Sequence, residues 1–211
     1  MTDELQALNL CLLIAKRAAV SDLEGVIGVD QQVRTLLEQA GLRVCLQGWP
    51  SNTLRRKVSP TADGRIYFSS NTLSVEVVPD VNGFTRERDS GRYVLRPKGD
   101  GSVLYDTRKG TDVLKDTTML EVEVSVLLPW ESRPEHMTQL VLAIAKLETY
   151  RLLVGEGDDR GLQRDLAMAQ SVFERLENRA RVPNLFDPPH GLAGDDPRRA
   201  VWREGVGLWQ A

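Results

Sequence analysis

The run TTMLEVEVSVLLP, residues 117–129, constrains the chain more than any other stretch. Leu120, Val122, Val124, Val126 and Leu128 fall on one side of an extended backbone, and Glu121, Glu123 and Ser125 fall on the other, because side chains alternate along a strand. Such a strand asks for an apolar layer on one face and water on the other, which predicts an antiparallel sheet with one wet face. Shorter runs rich in β-branched and aromatic residues come before it: RIYF, LSVEVV, RYVLR and VLYD. Asn82-Gly83 and Asp100-Gly101 lie between them as hairpin turn signals. Together these place a β-rich region at residues 51–130.

Helical periodicity brackets that region on both sides. Leu5, Leu8, Leu12, Ala15 and Ala19 share one face of a first helix, which Ser21-Asp22 and the glycines at 25 and 28 break. Asp30 is placed to cap a second helix with Val33, Leu36, Leu37, Ala40 and Val44 on one stripe. Gly48 stops it, and Trp49-Pro50 leads the chain away. Ser132-Arg133-Pro134-Glu135 reads as a capping box for a third helix, with Met137, Leu140, Val141, Ile144 and Leu147 on one face. After the GEGDDRG turn, Leu162, Leu166, Ala169, Phe173 and Leu176 recur at the four-three spacing of a bundle seam, and Pro183 ends the run.

Four apolar stripes are most simply buried against one another. The expected fold is therefore α+β. A four-helix bundle-like domain is built from residues 1–50 and 131–182, an antiparallel β-rich domain (51–130) is inserted in it, and an extended C-terminal arm (183–211) follows. Trp49 and Trp130 flank the insert and are read as anchors of the domain junction.

The arm poses its own question. It is rich in Pro, Gly and charge, a composition that does not pack a core, yet it holds two of the four tryptophans. Phe186, Val201, Trp202, Leu208 and Trp209, with Arg198, Arg199 and Arg203 beside them, are the candidate interface residues.

The chemistry-bearing residues are sparse. His136 and His190 lack the Cys and His neighbours of a zinc site. No nucleotide-binding fingerprint or nucleophile elbow occurs, so no cofactor or metal is expected. Glu121, Glu123, Glu131 and Glu135 include pairs of the kind a glycan hydrolase uses, but exposed strand and helix-cap positions account for them. The formal net charge of −3 creates no positive field for nucleic acid or anionic lipid, and Arg55-Arg56-Lys57 is the lone basic triplet. Cys11 and Cys45 fall among apolar residues on predicted helices and are expected as buried thiols. The N-terminal stretch lacks the basic region and cleavage site of a signal peptide, and its apolar part is too short to span a bilayer. A cytosolic product without membrane contact is expected.

The order of these pieces resembles the tail tubular protein A family of short-tailed bacteriophages, the head–tail adaptors or gatekeepers. The likeness runs from about residue 5 to residue 181. Its stations are ALNLCLLIAKRAAVSDLEG, then QQVRTLLEQAGLRVCLQGWPSN with Gly48-Trp49 closing the second helix, then LRRKVSPTADGRIYFSSNTLSVEV. GSVLYDTRKGT follows with Leu104-Tyr105-Asp106, and the strand, Pro-rich bend and closing helix pair complete the series. Pro50 and Ser51 stand where the family often has a second aromatic, and the arm after Pro183 has no counterpart.

The resemblance implies a non-enzymatic virion protein, located in the virion tail and in the host cytoplasm during assembly. It implies a homo-oligomeric ring, typically of twelve subunits, between the portal protein and the tail nozzle protein, with genomic DNA passing through without sequence-specific binding. The alternatives are a virion-associated peptidoglycan hydrolase using surface carboxylates and the connector protein of a long-tailed phage.

Overall fold

Asp3 starts the first helix by accepting the Gln6 amide on its side chain at 2.6 Å. The structure, a computed structural model, describes residues 3–78, 92–115, 119–155, 157 and 159–181. Its elements in chain order are α1 (Glu4–Ile14), α2 (Gly28–Cys45), β1 (Thr53–Val58), β2 (Tyr67–Phe68), β3 (Thr72–Val77), β4 (Tyr93–Lys98), β5 (Gly101–Asp106), β6 (Leu120–Val126), α3 (Glu135–Leu153) and α4 (Arg160–Arg181). Single 3-10 turns at Pro50–Asn52 and Trp130–Ser132 join strands to helices. Helices and antiparallel strands make this a mixed α+β fold.

The helices follow their apolar stripes, with four corrections. α1 buries Ala7, Leu8, Cys11 and Leu12, but it stops before Lys16 takes a left-handed backbone. Ala15 is therefore only half-buried and Ala19 is exposed. α2 begins at Gly28, so Asp30 sits inside the first turn and pairs with Arg17 at 2.7 Å instead of capping. The capping box at Ser132 does not form. Pro134 is extended and Glu135 becomes the first helical residue, so Glu135 is not at the position from which such a side chain reaches back. In α4 the buried stripe runs through Phe173 to Glu177, while Leu176 stays 37% exposed.

α3 packs against α1, α2 and α4. Its buried residues include Met137, Leu140, Val141, Leu142, Ala145 and Leu147, which cover more than one face. One hydrophobic core gathers residues from all four helices with Leu128 and Trp130. Both cysteines lie in it as free thiols, and burial pushes Cys11 up to about 12.

The strands form two three-stranded antiparallel sheets, ordered β1-β6-β3 and β2-β5-β4. β6 is the middle strand of the first. Its Leu120, Val122 and Val124 enter a second core with Ile66, Phe68 and Leu104, and Val126 touches both cores. The other face is less wet than the alternation predicts. Ser125 is buried because Gly48 and Thr53 cover it. Lys98 pairs with Gly101, so the β4–β5 turn is Gly99-Asp100, one residue earlier than expected. Asn82-Gly83 lies outside the described residues. Arg55, Arg56 and Lys57 are exposed on β1, a solvated strand segment.

Phe173 is fully buried in the helical core. Replacing it with Ala should lower stability by about 3–5 kcal/mol, through lost transfer energy and the cavity left behind. Chemical denaturation of the variant checks this; an unchanged midpoint would show that α4 is not seated as described.

Candidate functional site at the helix–sheet junction

The chain crosses between helices and strands at Trp49 and again at Trp130, and buried polar groups gather at both crossings. Gly48 ends α2 with φ of 64°, a conformation that suits glycine. A Cβ there would also stand 3.2 Å from Ser125 Oγ, so the turn lies close on β6.

Trp49 meets Phe173 of α4 edge to face, with centroids 4.8 Å apart. Its backbone N–H donates to Asn52 Oδ1 at 2.9 Å. Asn52 is fully buried, and its Nδ2 donates to the carbonyls of Cys45 (2.7 Å) and Val126 (3.0 Å). One amide therefore ties together the end of α2, the turn that starts β1 and the end of β6.

Glu177 reaches the same place from α4. It is 2% exposed. Its Oε2 accepts the Ser51 N–H at 3.1 Å, and its Oε1 lies 2.6 Å from His136 Nε2 in the first turn of α3. The His136 ring also lies 5.5 Å from Phe173.

At the second crossing Trp130 is 7% exposed in the helical core. The Arg133 guanidinium lies 4.6 Å from its ring centroid, and Arg133 Nε donates to the Leu128 carbonyl at 3.1 Å. Gly41 of α2 admits this guanidinium, since a Cβ there would meet both terminal nitrogens at 2.8 Å. Burial lowers the Arg133 pKa, and Nη1 is buried with no acceptor among the described residues.

Farther out, Leu104-Tyr105-Asp106 closes β5. Leu104 is fully buried, and the Arg96 guanidinium stands 3.4 Å over the Tyr105 ring. Asp106 Oδ2 accepts from Arg92 Nε (3.1 Å) and Nη2 (2.9 Å), and Oδ1 accepts the amides of Arg108 (2.9 Å) and Lys109 (3.1 Å). Burial alone would raise the Asp106 carboxyl; the Arg92 bonds and the two amides outweigh it and hold the pKa below 3.8.

The structure brings Trp49, Phe173, His136 and Glu177 together, and the four glutamates weighed for glycan hydrolysis take strand and surface positions. Glu121 pairs with Arg55 at 2.7 Å across the sheet, Glu123 stands opposite Arg55 in register, and Glu131 and Glu135 are exposed. Among the described residues no group of three or more His, Cys, Asp or Glu is placed to hold a metal, and no helix is long and apolar enough to cross a membrane. Phe186, His190, Val201, Trp202, Leu208 and Trp209 lie outside the described residues.

Asn52, Glu177 and Arg133 were not singled out from the sequence. Glu177 did leave a signal, a lone carboxylate four residues after Phe173 on the apolar stripe.

The two cores meet at this polar seam. The family model for tail tubular proteins matches residues 5–182, and the chain belongs to that family. The family makes it a structural component of a phage virion tail, which fits a non-enzymatic protein. No curated protein matches it.

Two measurements probe the seam. Asn52→Ala removes three hydrogen bonds to backbone groups at the junction, of which the Cys45 carbonyl still accepts the Gly48 amide, and should cost about 3 kcal/mol, read by urea denaturation. The Asp106 pKa is lowered in the folded state, so its stabilisation is complete above 3.8 and fades as pH falls through the lowered value. The melting temperature should drop in acid below that point, and Asp106→Asn should remove part of the drop. An identical acid profile would show that Asp106 contributes nothing.

Proposed function

We propose that the chain is the ring-forming adaptor that joins the portal protein to the tail nozzle protein of a short-tailed phage. The family match over residues 5–182 carries this reading. In it, copies form a closed homo-oligomeric ring, twelve if the count of related adaptors holds, and genomic DNA passes through without sequence-specific contacts. Assembly takes place in the host cytoplasm.

A ring joins two unlike faces of each subunit. Two separate exposed apolar surfaces support this. One, along α2 and α3, carries Leu36 and Leu42 among Arg43, Glu148 and Arg151; the other, on α4, carries Met168 and Leu176. The organisation proposed with this role is a four-helix bundle of residues 1–50 and 131–182 with the β-rich domain 51–130 inserted. Trp49 and Trp130 anchor the junction, and the arm 183–211 docks on a neighbour in the assembly through Phe186, Val201, Trp202, Leu208 and Trp209.

Electron micrographs of the purified protein, alone and mixed with its portal, test the role. Rings seated on portals are expected; single subunits in both samples would refute it. Deleting residues 184–211 should leave the subunit's melting temperature nearly unchanged and weaken assembly on portals. A truncated protein that caps portals as well as the full chain would remove the arm from the mechanism.

A further inference from the structure

Most arginines among the described residues are paired with carboxylates or stacked on rings, as Arg43 is with Glu148 and Arg96 is on Tyr105. Three on α4 are different. Arg164, Arg175 and Arg179 are exposed and have no carboxylate, carbonyl or ring partner among the described residues. With Met168 they recur at spacings of four, seven and four, which sets them on one stripe of the helix. The stripe is about 22 Å long at 1.5 Å per residue. The acidic side chains of α4 turn elsewhere. Glu174 accepts from Gln170, Glu177 is buried against His136, and Asp165 lies about 100° around the helix from Arg164.

The most exposed large apolar side chains of the described residues are Ile27 (80%), Leu13 (66%) and Met168 (62%). Met168 stands in the arginine stripe. The other two accompany the opposite charge. Leu13 is in the last turn of α1, Ile27 just precedes α2, and Asp22 and Glu24 lie in the loop between them. The pair of Arg17 with Asp30 holds the two ends of that loop together. Asp22 bonds to neutral donors, the Ser21 hydroxyl and the Gly25 amide. Glu24 has no partner among the described residues, and Lys16 is the one cation of the loop without a partner there.

We infer that the arginine stripe of α4 docks on the α1–α2 loop of an adjacent copy, with Met168 against Ile27 and Leu13 and the arginines facing Asp22 and Glu24. The inference rests on the ring reading above and names the two faces that meet. α1, α2 and α4 each pack on α3, so the stripe and the loop are separate surfaces of one subunit, as a head-to-tail contact requires. Opposite charge brings such faces together and sets their register, and the exposed apolar side chains supply the buried area. The α2–α3 surface offers the stripe no free carboxylate, since Glu148 is held by Arg43. Met168 amid the arginines favours a protein surface over a phosphate chain, because Met and Arg are both enriched in protein contacts.

Disulfide trapping in the full chain tests this. Cys11 and Cys45 are buried and stay out of the reaction. Copies carrying Ile27→Cys are mixed with copies carrying Met168→Cys, assembled on portals and mildly oxidised. A covalent dimer with one chain of each kind is expected, and each variant oxidised alone should give none. Adding Arg164→Glu and Arg175→Glu to the Met168→Cys copy should lower the yield about tenfold. Adding Glu24→Arg to the Ile27→Cys copy should then recover part of it. Asp22 is left in place because it holds the Gly25 amide. Melting temperatures of these variants should match that of the parent, since every substituted side chain is exposed.

Absence of the mixed dimer overturns the inference. So does a dimer of two Met168→Cys copies in its place, or a yield that charge reversal leaves unchanged in folded protein. Binding of short duplex DNA by the parent that is lost on reversing Arg164 and Arg175, with no mixed dimer, assigns the stripe to phosphate and overturns the docking. Micrographs of the same samples separate the two readings: rings without the link overturn only the face assignment, single subunits without the link overturn both, and a mixed dimer without rings supports the faces and overturns the ring.

Discussion

The fold turns on one buried amide. Asn52 has no contact with water, and its side chain satisfies the last turn of α2, the start of the β region and the end of β6. Each of those backbone groups sits where regular structure stops, and a buried polar group at such a point must find a partner or carry its full desolvation cost. The helical core can meet the sheet there because the amide accommodates three chain ends at once. Gly48 makes the approach possible, since a side chain in its place would press on Ser125.

Glu177 extends the same logic to α4. A carboxylate in an apolar seam is unfavourable unless its oxygens are bonded. Here one oxygen takes the Ser51 amide and the other lies against His136. These contacts join the last stretch of α4 to the first turn of α3 and to the turn before β1. The position of α4 relative to the strands is thus set by directional bonds as well as by the packing of Phe173 on Trp49.

The long, strongly periodic segments were legible in the sequence. The α2 and α3 stripes and the Leu120, Val122 and Val124 alternation read correctly, because burial of one face dictates residue type at a fixed period. Boundaries were less so. Asp30 looked like a cap and lies inside its helix; Ser132 looked like a cap and lies in a turn outside its helix. Both signals depend on one residue of register, and Pro134 and the Gly28 start decide that register through backbone geometry. The junction was half-visible. Trp49 and Trp130 stood out as large residues at composition boundaries, while Asn52 and Arg133 looked like ordinary polar residues. Their roles come from what α2, β6 and α4 place around them, and no local pattern encodes that.

β6 has a mechanical meaning beyond its place in the two cores. It is bonded antiparallel on both flanks, to β1 from Leu120 to Ser125 and to β3 from Val122 to Val126 with a register shift between Thr72 and Ser74. A pull along its axis strains both ladders in shear, with many bonds resisting together, whereas a pull on an edge strand peels bonds one at a time. The peptide that leaves β6 runs within a few residues through Leu128 and Trp130 into α3, the helix that the other three pack against. Tension applied between the two cores therefore passes through the strand best placed to resist it.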